Sequence, residues 1–221
     1  MQALSQPKVM ARAAVAALLA TLAGIPAAAT SPKNLYPMWI WAPVMFLCVY
    51  MMWSFVFAWH FEYSGRPVFT PPFKPALWLG ATLYAVGAGL LVHWFLDPAI
   101  RRTIPDQFPA SLGSWAATAL LQSVVWPLFV NFAPFAVFMR VTRRQTVSLA
   151  LTVLWAVLLQ YLLLANQPNL PPMGVTMALM LRTVVGAFLG VYFYLNGGAL
   201  LVCWVVLLAQ TRLLLDLAAA H

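Results

Sequence analysis

GVTMALMLRTVVGAFLGVYFYLNGGALLVCWVVLLAQTRLLLDL, residues 174–217, carries only three charged side chains, Arg182, Arg212 and Asp216. Its two apolar runs, 174–195 and 199–217, each match the ~20 residues that take a helix across the bilayer hydrocarbon. Lipid offers no partner to a backbone amide, so only helices and closed barrels span it, and these runs lack the two-residue alternation of a barrel strand. Between them, Asn196-Gly197-Gly198 tolerates left-handed conformations and closes a hairpin in few residues. The two runs are therefore antiparallel neighbours. Gly186 and Gly190, in GAFLG, form a small-xxx-small pair that lets another backbone come close.

The same pattern extends towards the amino terminus. Apolar runs at 11–29, 38–59, 76–96, 115–139 and 147–165 precede the final pair, which predicts seven spans in one membrane domain covering 1–221. Prolines punctuate the connections, among them Pro37, Pro67, Pro71, Pro72, Pro75, Pro98, Pro105, Pro109, Pro168, Pro171 and Pro172. The first run is Ala-rich, follows Lys8 and Arg12 and ends in Ala27-Ala28-Ala29, which also fits a signal peptide; losing it would leave six spans. Composition agrees: 64% of residues are apolar, 7% are charged, and the mean hydropathy is +0.88. A soluble domain of this size could not cover its surface with so few charges. The fold class is an all-α transmembrane bundle.

Twelve Lys and Arg against four Asp and Glu would suggest nucleic acid in a soluble protein. Here the cations sit in short loops, where they set orientation and meet lipid headgroups, so no nucleic acid partner is expected. With the amino terminus in the cytoplasm, Lys8, Arg12, Arg66, Lys74, Arg140, Arg143 and Arg144 lie inside and Lys33, Arg101, Arg102 and Arg212 outside. The positive-inside rule favours that orientation in a plasma membrane, the inner membrane of a bacterium. Trp39, Trp41, Trp59, Trp78, Trp94 and Trp115 fall near span ends and read as interfacial anchors. Cys48 and Cys203 lie inside apolar runs, which argues against a disulfide or thiolate metal site.

No catalytic set, metal site or cofactor motif emerges. His60 and His93 end consecutive spans and must face opposite surfaces, as must Glu62 and Asp97, while His221 is the last residue. Two groups of polar residues stand out inside the membrane. Arg182 sits about eight residues into its span, or ~12 Å along a helix, a depth at which a charge needs a partner. Folding the hairpin about Gly197 brings it level with Arg212, one turn from Asp216, and predicts a cluster of Arg182, Gln210, Arg212 and Asp216 with Arg212 and Asp216 spaced i,i+4. That cluster locks the hairpin or anchors an anion. In the fourth span, Pro127 and Pro134 flank Asn131 and each removes a helical hydrogen bond, which predicts a kink. Asn131 with Gln122 and Gln160 is the candidate pocket there.

Residues 126–221 carry a further pattern: Pro127-Leu-Phe-Val-Asn-Phe-Ala-Pro-Phe-Ala-Val-Phe-Met-Arg140, then Arg143 and Arg144, then Gly190-Val-Tyr-Phe-Tyr-Leu-Asn-Gly-Gly-Ala-Leu200. In layout this resembles the membrane core of the CPBP family, the CAAX-protease and bacteriocin-processing intramembrane proteins, with 126–217 as the helical core. The resemblance would put that family's glutamate pair at Val130 and Asn131, its arginine at Phe135 and its histidines at Gln160 and Leu207. None of those catalytic groups is present here, which implies a pseudo-enzyme, since amides and alkyl groups cannot activate water.

The leading expectation is therefore a non-catalytic, multi-pass accessory subunit, scaffold or assembly factor, partnered by the lipid bilayer and other integral membrane proteins. A small-solute permease or substrate-binding membrane component is the alternative, and a degenerate CPBP-like protease the third. A permease requires Asn131, Gln160 and Arg182 to meet at one accessible cavity, whereas a subunit is free to have a filled interior.

Overall fold

The computed structural model describes residues 2–30, 36–69, 73–105, 108–167 and 170–219. Lys33, Pro71, Pro72, Pro168 and His221 lie outside them. Helix α1 spans Pro7–Thr30, α2 Met38–Trp59, α3 Pro75–Phe95, α4 Asp97–Thr103, α5 Leu112–Pro127, α6 Ala133–Thr142, α7 Gln145–Ala165, α8 Met173–Gln210 and α9 Arg212–Ala219. Single π-helical turns, His60–Ser64 and Leu128–Phe132, prolong α2 and join α5 to α6. Six helical stretches are long and apolar enough to cross a membrane, the last being 46 residues.

That last stretch is two passes. A straight helix would hold Arg182 and Arg212 about 45 Å apart, yet both approach Asp97. The chain reverses at Gly198, whose φ of 77° and ψ of 178° break the helix. The hairpin is tighter than the sequence suggests. Asn196 stays helical and its amide donates to the Tyr192 carbonyl, while Gly197 is needed for space, because a methyl there would meet the Leu201 side chain. With this reversal counted, the bundle has the expected seven passes.

In lipid the helices gain little from apolar burial against one another, so close packing and polar contacts must hold them. In α1, Ala13, Ala17 and Ala20 are fully buried and form one small-residue stripe. The stripe continues to Gly24, where a methyl would lie 2.8 Å from the Trp41 ring. Helix α1 packs on α2 and α5 along this face. Trp41 is thus a packing partner rather than a free anchor. Trp59 is also buried, against Phe135 with ring centroids 5.6 Å apart. Trp39 and Trp94 keep the expected exposure.

The cations separate by end. Arg66 and Arg140 lie at the end of the bundle marked by His60, and Glu62 pairs with Arg140 at 2.9 Å. Arg101 and Arg212 lie at the other, marked by His93. Around His60 the interior is filled by rings, including Phe132 stacked on Tyr194 at 4.5 Å and Trp53 beside Phe69 at 5.2 Å. The same end straps the hairpin. His60 Nδ1 lies 2.9 Å from the Arg66 carbonyl, which can only accept, so Nδ1 donates and Nε2 accepts from the Tyr194 hydroxyl at 2.7 Å. The Ala199 amide donates to the Val68 carbonyl at 3.1 Å.

Candidate functional site

Prolines 127 and 134 do not simply bend the fourth span; they produce a π-turn. The Ala133 amide reaches back to Leu128, five residues earlier. The Phe129 carbonyl then loses its helical donor, because the next available amide position is Pro134. Trp155 of α7 supplies the missing donor, its Nε1 lying 3.0 Å from that carbonyl. Such single π-turns concentrate at functional sites. This one turns Asn131 inward, where it is 6% exposed and its Oδ1 has no hydrogen-bond partner.

Gly190 of α8 makes room for it. A methyl at Gly190 would fall 2.6 Å from Asn131 Nδ2. The close approach expected of the GAFLG pair is therefore to a side chain, and at Gly190 alone. At Gly186 a methyl would meet nothing within 4 Å.

Gly186 faces a cavity of about 860 Å³ enclosed by α3, α5, α7 and both limbs of α8. Asn131, Gln122, Gln160, Arg182, Gln210 and Arg212 all line it. The two groups read separately in the sequence are one site. Gln210 joins them directly by hydrogen-bonding Gln122, while the Trp115 indole donates to the Gln210 carbonyl at 2.9 Å. Tyr84, Thr118, Thr183 and Gln167 add further polar groups.

At the end of the bundle marked by His93, termed the mouth, the ion pairs differ from expectation. Arg212 does not pair with Asp216, its i,i+4 neighbour. Its Nε lies 3.4 Å from Asp97, and Asp216 pairs instead with Arg101 at 2.6 Å. His93 approaches Asp97 at 3.8 Å and Asp216 at 3.7 Å. Sequence reasoning set His93 and Asp97 aside as scattered interfacial groups; their spacing of four residues, at a helix end that meets the last helix, was the available signal. His93, Asp97 and Asp216 have the geometry of a cation site. The guanidiniums of Arg101 and Arg212 already hold the carboxylates, however, and would repel a dication, so this is an ion-pair network. Burial pushes the Asp97 carboxyl above the usual range, and Arg212 pulls it partly back.

Arg182 is the exception in this network. It lies within electrostatic reach of Asp97, Tyr84 and Arg212, but no carboxylate among the described residues comes within 4.0 Å of it. It lines the cavity.

Among the positions aligned with CPBP catalytic groups, Val130, Asn131 and Gln160 line the cavity. Phe135 is packed into the ring cluster, and Leu207 does not reach the cavity wall. Comparisons with protein families, with curated proteins and with solved structures find no match.

Proposed function

We propose that this chain is a membrane-embedded binding component, or a permease, for a small anionic solute. One observation carries the reading: Asn131, Gln160 and Arg182 line a single cavity, and no carboxylate among the described residues forms a direct ion pair with Arg182. An uncompensated guanidinium within a span is costly, about 2.5–3.5 kcal/mol on insertion scales, and an anionic ligand offsets that. The volume falls in the ~300–1,000 Å³ range of small-molecule sites. A structural subunit needs no such space, and its Arg182 would be engaged in the hairpin lock. Instead Arg212–Asp97 and Arg101–Asp216 tie the helices, and Arg182 forms no direct ion pair among the described residues.

The cation distribution favours the His60 end on the cytoplasmic side of a plasma membrane, with the cavity mouth facing out. A degenerate CPBP-like binder is the family version of the same reading, since three of its aligned positions line this cavity.

The test is a thermal-shift screen of the purified chain against small carboxylates and phosphates, run on wild type and Arg182→Gln. The expected result is a rise in melting temperature with at least one anion in wild type and none in the variant. An equal shift in both, or no shift with any anion, would overturn the proposal.

A further inference from the structure

Resting on that reading of Arg182, we infer that the ligand is a single-chain amphiphile: one acyl chain with an anionic head, drawn from the bilayer. The head belongs at Arg182. Gly190 lies eight residues deeper, about 12 Å along α8, and the wall between them includes Thr183, Gly186, Ala187, Val205, Val206 and Ala209. A compact hydrophilic anion held at Arg182 would leave this slot, a stretch of the cavity about 12 Å long, unfilled. Gly186 makes the slot real, because a methyl there would touch nothing within 4 Å. At its inner end sits Asn131, buried, with its Oδ1 unpartnered.

The cavity also has a side that faces lipid. Helix α7 packs on α6, the π-turn and α8, whereas α5 packs on α1, α8 and α9. Beyond the π-turn α5 and α7 hardly touch. Trp126 on α5 and Leu163 on α7 are both exposed and both line the cavity. An acyl chain can slide in sideways while its head stays near the mouth, where the ion pairs lie. The volume suits one chain and one head, not a two-chain phospholipid.

The experiment places the full chain in phosphatidylcholine nanodiscs with palmitate bearing a diazirine near its methyl end, then irradiates and maps the adducts. Adducts should concentrate on residues 186–206, and should fall at least tenfold with the methyl ester of the same probe, which has no anionic head. Gly186→Trp should cause the same loss, since its Cβ meets nothing within 4 Å and its ring projects into the cavity that Gly186 lines, and its melting temperature should stay near wild type. Arg182→Gln should also lose the adducts while remaining folded and monodisperse. Labelling spread evenly over lipid-facing positions such as Leu154, Leu158 and Leu181, unchanged by the ester or by Gly186→Trp, overturns the inference. An Arg182-dependent rise in melting temperature with butyrate or with a short peptide bearing a free carboxyl end, without palmitate labelling, overturns the amphiphile while leaving the Arg182 anion site standing. No Arg182-dependent binding of any of these probes overturns both.

Discussion

Replacing Gly190 by alanine is expected to destabilise the bundle only while Asn131 is present. The added methyl would sit 2.6 Å from Asn131 Nδ2, 2.9 Å from its Cγ and 3.0 Å from its Oδ1. The backbone of Asn131 has little room to retreat, because the π-turn that carries it is tied to α7 through Trp155 and its neighbours Leu128 and Phe132 are fully buried. Overpacking of this kind costs about 1–3 kcal/mol. Against it stands the gain from alanine over glycine inside a helix, about 1 kcal/mol. The net expectation is a loss of roughly 1 kcal/mol in wild type. In an Asn131→Ala background the space is vacated and only the helical gain remains, so the sign reverses to a stabilisation of about 1 kcal/mol. The coupling between the two sites is then ~2 kcal/mol, well above the scatter of additive pairs. Reversible unfolding of the two single variants and the double variant in mixed micelles, alongside wild type, measures it. If Gly190→Ala has the same sign in both backgrounds, the argument that Gly190 exists to seat Asn131 fails.

Three further outcomes follow from the same contacts. Trp155→Phe leaves the Phe129 carbonyl without a donor and should cost about 1–3 kcal/mol in the same unfolding measurement. Of the two mouth arginines, Arg101 is 48% exposed, and Arg101→Ala should cost no more than about 1 kcal/mol. Arg212→Ala leaves Asp97, 3% exposed, without its closest cation and should cost roughly 3–5 kcal/mol at neutral pH; equal effects of the two would refute the burial argument. Asp97 also sets a pH dependence. Its folded value lies above its unfolded value, so the stability it confers is complete at pH below the unfolded value and is lost as pH rises through the folded one. Melting temperatures followed upward from acid pH should decline more steeply in wild type than in Asp97→Asn, and parallel profiles would show that another group is responsible.

Seven passes, the hairpin at Gly197-Gly198 and the unusual character of the Pro127–Pro134 segment were legible in the sequence because each follows from a local property: run length against bilayer thickness, a glycine's conformational freedom, a proline's missing amide. The level of Arg182 with Arg212 was legible too, once the hairpin was folded. Partner choice was not. Arg212 and Asp216 have ideal i,i+4 spacing, yet each turns to a residue from α4, Asp97 or Arg101. Helical spacing says which side chains can meet within one helix and nothing of which neighbouring helix presents a closer charge.

Apolar run length and the lack of water in lipid therefore dictate an all-α bundle and its approximate span boundaries from the chain alone, since backbone hydrogen bonding in a membrane is a local requirement. The cavity is a different matter. It exists because a π-turn parts α5 from α7, because Gly190 admits Asn131, and because Asp97 and Asp216 are claimed by other arginines. Those are relations between helices distant in sequence. They decide that Arg182 lines the cavity without a direct ion pair among the described residues, rather than closing the hairpin as its neighbours along the chain would suggest.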